Sequence, residues 1–325
     1  MQSVLVMVVK KCRNTALIIG RSQHMHEDFG TILNRGFNSW VRNLNICIPF
    51  ILSFFVNMIL YVLFFGLMGI LLFTSNTGSI IDPATLSQAE LISVMRNGFA
   101  ENIVMSVLLM LGFLLFGMFV QSFFTAGAIG MAKKAAETGD SHLSDMLISG
   151  SKNSFRLFLA TLLVSLLLLG GIVLTVPGAL NIGDFSGLLD NPEAALQGMG
   201  LLAIGLILWG FYMIAISIVL SLVPYALVID ELDPLDALKT GFNFFKENRL
   251  DIFFIWVIYI GFSVINTYLG EFIGTKNALV AGFTYMMPVV VLQPLAAVLW
   301  TRLYMSRKGK KLYNPADLLS GPEGF

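Results

Sequence analysis

Charged side chains are scarce in this chain. Its 20 Lys and Arg and 20 Asp and Glu make up 12% of 325 residues, about half of the roughly 25% that a soluble domain carries. The formal net charge is zero, so no nucleic-acid partner is predicted. Hydrophobic residues reach 56%, above the usual range of about 45–50%. The composition therefore indicates a protein that folds in lipid.

Cysteine and histidine are almost absent as well, which excludes several classes of site. The two cysteines, Cys12 and Cys47, form neither a disulfide framework nor a zinc spacing. Two of the three histidines, His24 and His26, adjoin Glu27, but the chain offers no further ligand at a diagnostic spacing. We therefore predict no metal site.

The motifs of the common enzyme classes are also missing. The chain contains no His-Glu-x-x-His, no Gly-x-Ser-x-Gly, no phosphate loop and no dinucleotide fingerprint. Residues 314–316 read Asn-Pro-Ala, the tripeptide of water channels. A single copy in the tail is better explained as a helix cap followed by proline. The chain is predicted not to be an enzyme and to need no cofactor.

What the sequence does have is long apolar runs. A helix crosses the hydrocarbon core with about 20 apolar residues, and six stretches have or approach that length: Ile46–Phe73, Ile103–Met131, Leu157–Val176, Met199–Ile229, Ile252–Leu269 and Ala278–Leu303. None of them carries a charge in its middle. We therefore predict an all-α membrane protein in which residues 25–311 form one domain of six transmembrane helices.

Basic residues orient these helices. Of the 20 Lys and Arg, only Arg96 and Lys276 fall on the side that holds the loops 74–102, 177–198 and 270–277. The other 18 lie on the side of the two termini. By the positive-inside rule, we predict a multi-pass protein of the cell (cytoplasmic) membrane with both termini in the cytoplasm.

The ends of the chain are predicted to lie outside the domain. Residues 1–24 place their apolar run before their positive charges, which is the reverse of a secretory signal, so we expect a poorly ordered extension. Translation starting at Met25 is an alternative. Residues 312–325 are predicted to be a cytoplasmic tail. The basic cluster at 307–311 either attracts anionic lipid or only satisfies topology.

One short cassette occurs three times: a leucine, a glycine three positions later and an aromatic residue beyond it. The copies are Ile32–Trp40, Met146–Phe155 and Ala237–Phe245, each leading into an odd-numbered apolar stretch. Because internal repeats set an architecture, we predict three helix-pair repeats, each preceded by a cytoplasmic amphipathic interfacial helix. The shared glycine either allows a close approach to the spans or is a coincidence in a chain with 30 glycines.

The cassettes also predict membrane lipids as partners. In the first copy, apolar residues recur at helical spacing from Phe29 to Leu44, and the other face is polar. Such a helix lies in the headgroup region with its aromatics toward the hydrocarbon and its cations toward phosphates. The candidate interfacial contacts are Phe37, Trp40, Arg42, Phe155, Arg156, Phe242, Phe245, Lys246 and Arg249.

Uncharged polar residues within the spans have two interpretations. They hydrogen-bond between helices and allow close packing, or they line a polar cavity or solute path. The candidate cavity residues are Asn57, Gln121, Thr125, Asn266 and Gln293. Pro224, Pro288 and Pro294 kink helices and free carbonyl groups, which is compatible with both interpretations.

The segment Val223–Glu231, followed by Ala237-Leu238-Lys239 and Gly241, resembles polytopic prokaryotic membrane families of unknown function. They look related to the membrane-anchor domain fused to some glycerophosphodiester phosphodiesterases. The resemblance extends over most of residues 26–311 and implies a membrane module without catalytic residues, since the hydrolase of the fused proteins is a separate soluble domain.

Two functional hypotheses follow from these features. The first is a non-enzymatic membrane module that organises lipid, partner proteins or further copies of itself, as the three cassettes suggest. The second is a permease or channel component for a small solute, as the polar residues and prolines suggest. A continuous wet cavity near Gln121, Asn266 and Gln293 would favour the second.

Overall fold

The computed structural model describes residues 27–73, 87–182, 192–274 and 277–313. These ranges contain helices and connections, and no strand. The helices are α1 (Phe29–Arg42), α2 (Cys47–Phe73), α3 (Gln88–Glu101), α4 (Ile103–Thr138), α5 (Leu143–Gly170), α6 (Val176–Ile182), α7 (Pro192–Val219), α8 (Val223–Asp230), α9 (Pro234–Leu269), α10 (Ala278–Met287) and α11 (Gln293–Arg307).

Six helical segments are long and apolar enough to cross a membrane. They are Leu44–Phe73, Ile103–Thr138, Leu143–Leu180, Met199–Asp230, Pro234–Phe272 and Ala278–Arg307. Their most apolar windows have mean hydropathies of 1.6 to 2.7. The prediction of an all-helical, multi-pass membrane protein with six spans is confirmed.

The fourth and sixth spans are interrupted where prolines occur. The fourth span breaks at residues 220–222, and Pro224 stands in the first turn of α8. The sixth contains a π-helical segment, Pro288–Leu292, between α10 and α11. Proline has no backbone N–H and crowds the preceding turn, so both breaks follow from local sequence.

Only the second cassette lies in one unbroken helix with its span. Helix α5 runs without a break from Leu143 through the cassette to Gly170. Helix α9 is kinked at Asn248, where the backbone angles are not helical, so the helix that carries the third cassette meets its span at a bend. It begins at Pro234, and the Asp233 side chain makes no capping hydrogen bond. Helix α1 is separated from its span by a short 3₁₀ turn at Leu44–Ile46.

The core lies at one end of the bundle. We call this end, on which Asn43, Asp140, Glu231 and Lys308 lie, the terminal face. Most of the largest fully buried side chains pack in this half, among them Ile32, Leu227, Phe244, Leu303 and Tyr304. In the other half the closest contacts lie within pairs of consecutive spans, such as the Asn266 amide donating to the Thr284 carbonyl. The bundle is therefore tight at the terminal face and looser at the opposite face.

A buried ion pair fastens the start of the described chain to its last helix. The Glu27 carboxylate accepts hydrogen bonds from Arg302 Nε and Nη2 at 2.8 and 2.7 Å and from Arg35 Nη1 at 2.8 Å. The side chains of Glu27 and Arg302 are 8% and 4% exposed. Glu27, which the sequence analysis weighed as a metal ligand with two histidines, is thus engaged by arginine.

Several predictions concern residues outside the described ranges. They include the extension 1–24, the alternative start at Met25, the two histidines next to Glu27, and the tail beyond residue 313.

Candidate functional site

An elongated cavity of about 830 Å³ lies among α2, α4, α5 and α8 and the segment that joins α10 to α11. We call it the outer cavity. On α2 its lining extends from Phe50 to Phe64 in steps of three and four residues, which corresponds to about 21 Å along a helix. On α4 it extends from Met110 to Thr125.

A second cavity of about 400 Å³, the inner chamber, continues toward the terminal face. The two share Phe50, Gln121, Thr125 and Gln293 in their linings. Along α11 the chamber reaches from Gln293 to Trp300, about 10 Å deeper.

The packed core closes the inner chamber on the side of the terminal face. One turn beyond Trp300, the Tyr304 ring stacks on Phe244 with 5.0 Å between ring centroids. Its hydroxyl donates to Asp230 Oδ2 at 2.5 Å, and Asp230 also pairs with Lys310. The chamber therefore ends at a packed layer on the side of the terminal face.

Gln121 is held at the junction of the two cavities. Its Oε1 accepts a hydrogen bond from Ser53 Oγ at 2.7 Å and one from Asn57 Nδ2 at 3.3 Å. Ser53 is buried, whereas Gln121 is exposed in the middle of a span. Because its carbonyl oxygen is occupied, Gln121 presents its amide N–H groups to the cavity.

Several polar side chains of the inner chamber have no hydrogen-bond partner among the described residues: Thr125, Ser217, Tyr225, Trp256, Tyr259, Gln293 and Trp300. Such groups are costly to leave dry in a membrane interior, where no other water is available. The chamber is consequently suited to hold water or the polar atoms of a ligand.

Four of the five predicted cavity residues meet here: Asn57, Gln121, Thr125 and Gln293. Asn266 does not, because it is buried in the contact between the fifth and sixth spans. For Asn266 the structure fits the interpretation as a packing contact. For Gln121 and Gln293 it fits the interpretation as cavity residues.

Sequence reasoning missed the aromatic part of the chamber, Tyr225, Trp256, Tyr259 and Trp300. All four lie within about seven residues of the predicted span end that adjoins the terminal face. Tyr and Trp are common there, at the membrane–water interface, so no signal in the sequence indicates that they line a cavity.

The terminal face carries an exposed aromatic side chain from each cassette. Phe37, Phe155 and Phe242 are 49%, 62% and 43% exposed. Lys246 Nζ lies 4.4 Å above the Phe242 ring. Of the other predicted lipid contacts, Trp40 and Phe245 are partly buried. Arg249 is exposed and has no partner among the described residues.

Basic side chains beside these aromatics pair with acids or backbone of the same face. Arg42 Nε lies 3.2 Å from Asp140, and Arg156 donates to the Glu231 carbonyl at 3.2 Å. The Lys152 ammonium, 2.6 Å from the Glu231 carboxylate, lowers the pKa of Glu231 through its hydrogen bond. This acid therefore remains ionised near neutral pH.

The cassette glycines make close helix contacts. A Cβ atom at Gly36 would lie 2.6 Å from Leu299 Cδ2, one at Gly150 3.0 Å from Phe123 Cε2, and one at Gly241 2.8 Å from Val223 Cγ2. The distances at Gly36 and Gly241 are shorter than real Cβ atoms show, and the one at Gly150 is tighter than nearly all of them. Of the two interpretations of this glycine, the close approach fits the structure.

The described residues contain no group of three or more His, Cys, Asp and Glu side chains able to hold a metal ion. Comparison with curated proteins and with solved structures found no significant match. Comparison with protein families matched residues 52–306 to a domain of unknown function, DUF7847. That range extends from the second turn of α2 nearly to the end of α11 and includes all the residues that line the two cavities except Phe50. On this evidence the chain belongs to the DUF7847 family.

Proposed function

We propose that this protein is a permease-type membrane protein that binds a small molecule in the inner chamber and the outer cavity. The observation that carries the proposal is the set of unpartnered polar groups deep among the spans, around Thr125, Tyr225 and Gln293. A dry packing core would have paired or omitted them. Of the two functions considered from sequence, this geometry favours the permease.

The proposal includes a direction of access. Residues of the outer cavity far from the terminal face are well exposed, with Tyr61 at 63% and Met110 at 60%, whereas Ala297 and Trp300 of the chamber are buried. With both termini in the cytoplasm, as the basic residues suggest, the cavity opens away from the cytoplasm. The layer of Tyr304 and Phe244 then closes its cytoplasmic end.

Cysteine labelling tests this proposal. A thiol at Thr125→Cys or Gln293→Cys should react with a membrane-impermeant methanethiosulfonate reagent added outside intact cells, because the thiolate that reacts forms only in contact with water. The label is measured by mass spectrometry, and the unmodified protein gives the background of Cys12 and Cys47.

Two controls match those positions. Val62→Cys on α2 lies outside the cavity lining, 65% exposed among the lipid-facing residues, and Ala126→Cys on α4 is fully buried. Neither should react. Failure of both cavity cysteines to react in folded protein would contradict a water-accessible binding site.

A second function, organisation of membrane lipid by the cassettes, is favoured by the exposed aromatics of the terminal face. In this proposal the chain is three helix-pair repeats whose first segments lie at the cytoplasmic interface, with Phe37, Phe155 and Phe242 in the lipid and Arg249 free for phosphates. A relationship to the membrane-anchor domain of glycerophosphodiester phosphodiesterases belongs to the same proposal, as does association with partner proteins or further copies.

Charge placement at neighbouring positions tests the interfacial helix. Phe37→Asp should reduce accumulation of the protein in the membrane, since an acid in the hydrocarbon costs about 2–3 kcal/mol and less near the headgroups. Asn38→Asp, on the polar face of the same turn, should accumulate normally. Quantitative immunoblotting of membrane fractions measures both, and equal accumulation would mean that this face is solvated.

A further inference from the structure

We propose that the ligand is a membrane lipid with an uncharged head group that carries oxygen acceptors. Its head would occupy the inner chamber and its chain the outer cavity. This inference rests on the proposed binding function and adds the chemical class of the ligand.

The outer cavity has the chemistry of a chain site. Away from the junction its lining is mostly apolar and aromatic, with Leu60, Phe64, Met110, Phe113 and Leu114. Water in a cavity of that composition finds few hydrogen-bond partners, whereas the burial of a hydrocarbon chain there is favourable. Its length of about 21 Å exceeds the roughly 15 Å of one bilayer leaflet's hydrocarbon, so a lipid chain fits along it.

The inner chamber offers donors that need acceptors. Gln121 presents N–H groups because Ser53 and Asn57 occupy its carbonyl oxygen. The indoles of Trp256 and Trp300 only donate, and neither has an acceptor among the described residues. A head group with carbonyl, ether or hydroxyl oxygens satisfies these donors.

None of the described residues that line the two cavities carries a charge. Asp230, in the layer that closes the chamber toward the terminal face, is already paired with Lys310 and Tyr304. A phosphate or carboxylate head would therefore enter the chamber without a counter-charge, which is strongly unfavourable. An uncharged head is favoured for this reason.

The aromatic rings of the chamber leave room for a flat or cyclic head. Phe50, Tyr225, Trp256, Tyr259 and Trp300 line one space, yet no two of these rings stack on each other in the described structure. The part of each ring that borders the chamber can therefore contact a ligand. A diacylglycerol and an isoprenoid quinone both present the required chemistry, an uncharged head with oxygen acceptors.

Tryptophan quenching tests the assignment. In the full chain carrying Trp40→Phe and Trp209→Phe, the emission comes from the two chamber residues, Trp256 and Trp300. This protein in phosphatidylcholine nanodiscs is titrated with chain-brominated diacylglycerol, with a short-chain ubiquinone and with phosphatidylglycerol brominated at the same chain position. We expect saturable quenching by at least one uncharged lipid, at a mole fraction at least about tenfold below any effect of the anionic lipid.

The three titrations distinguish the possible ligands. Saturation by diacylglycerol alone identifies a glycerolipid, and saturation by ubiquinone alone identifies a quinone. Equal, non-saturating quenching by all three lipids would overturn the proposal, and so would saturation by phosphatidylglycerol alone. If Thr125→Cys and Gln293→Cys react with the aqueous reagent while no lipid saturates, the lipid assignment falls and the binding cavity stands.

Variants tie the quenching to the chamber. Gln121→Leu removes the amide donors and should weaken the saturable binding about fivefold, whereas Val62→Leu on the outside of α2 should not change it. Thr125→Val provides a second chamber variant should Gln121→Leu fail to fold. Unchanged affinity in a folded chamber variant would place the lipid elsewhere and overturn the assignment.

Discussion

Replacing Glu27 with alanine is expected to destabilise the protein by about 3–5 kcal/mol, because it leaves the Arg302 guanidinium buried without its counter-charge. The Glu27 carboxylate accepts three hydrogen bonds from arginine side chains. The Glu27 backbone carbonyl accepts a fourth from Arg307. The measurement is the midpoint of thermal unfolding of the purified protein in detergent, together with its accumulation in membranes.

An exposed ion pair on the same face provides the control. Asp140 and Arg42 are 60% and 53% exposed, so Asp140→Asn should change stability by less than about 1 kcal/mol. The double variant Glu27→Met with Arg302→Met should regain most of the loss, since a buried pair replaced by apolar groups is often neutral. Equal stability of Glu27→Ala and Asp140→Asn would show that the pair does not hold α1 to α11.

Leucine in place of Gly241 is expected to reduce stability by at least about 1–3 kcal/mol, the usual effect of overpacking. Even a Cβ atom there would lie 2.8 Å from Val223 Cγ2 and 3.2 Å from the Val223 backbone nitrogen. The valine side chain is stiff, so α8 and α9 must separate. Thermal unfolding and membrane accumulation again measure the effect.

The matched control for this variant is Gly261→Leu on the same helix, where no atom apart from the adjoining residues and the helix's own backbone lies within 4 Å of the added Cβ. Leucine has the better helix propensity, so this variant should be as stable as the native protein or more so. Similar losses for the two variants would mean that the cassette glycine has no packing role. Because α8 carries Pro224 and Tyr225 of the cavities, Gly241→Leu should also alter the labelling of Thr125→Cys.

Part of the candidate site could be predicted from sequence. Uncharged polar residues in apolar spans are conspicuous, and this selected Asn57, Gln121, Thr125 and Gln293, which lie on the cavity lining. The same criterion selected Asn266, which packs against Thr284 instead. Hydropathy shows that a polar residue lies within a span, but it does not show whether that residue faces a cavity or a neighbouring helix.

The sequence by itself determined the six spans and several helix starts, because apolar length, proline and capping residues act within a few residues of one another. Helix α9 begins at Pro234 and α7 at Pro192 for this reason. Only the tertiary structure decided that Gln121 meets Gln293 across one cavity and that Glu27 reaches Arg302, 275 residues away. Those contacts depend on how each helix is rotated and crossed against its neighbours, and that geometry is fixed by packing among all the helices together.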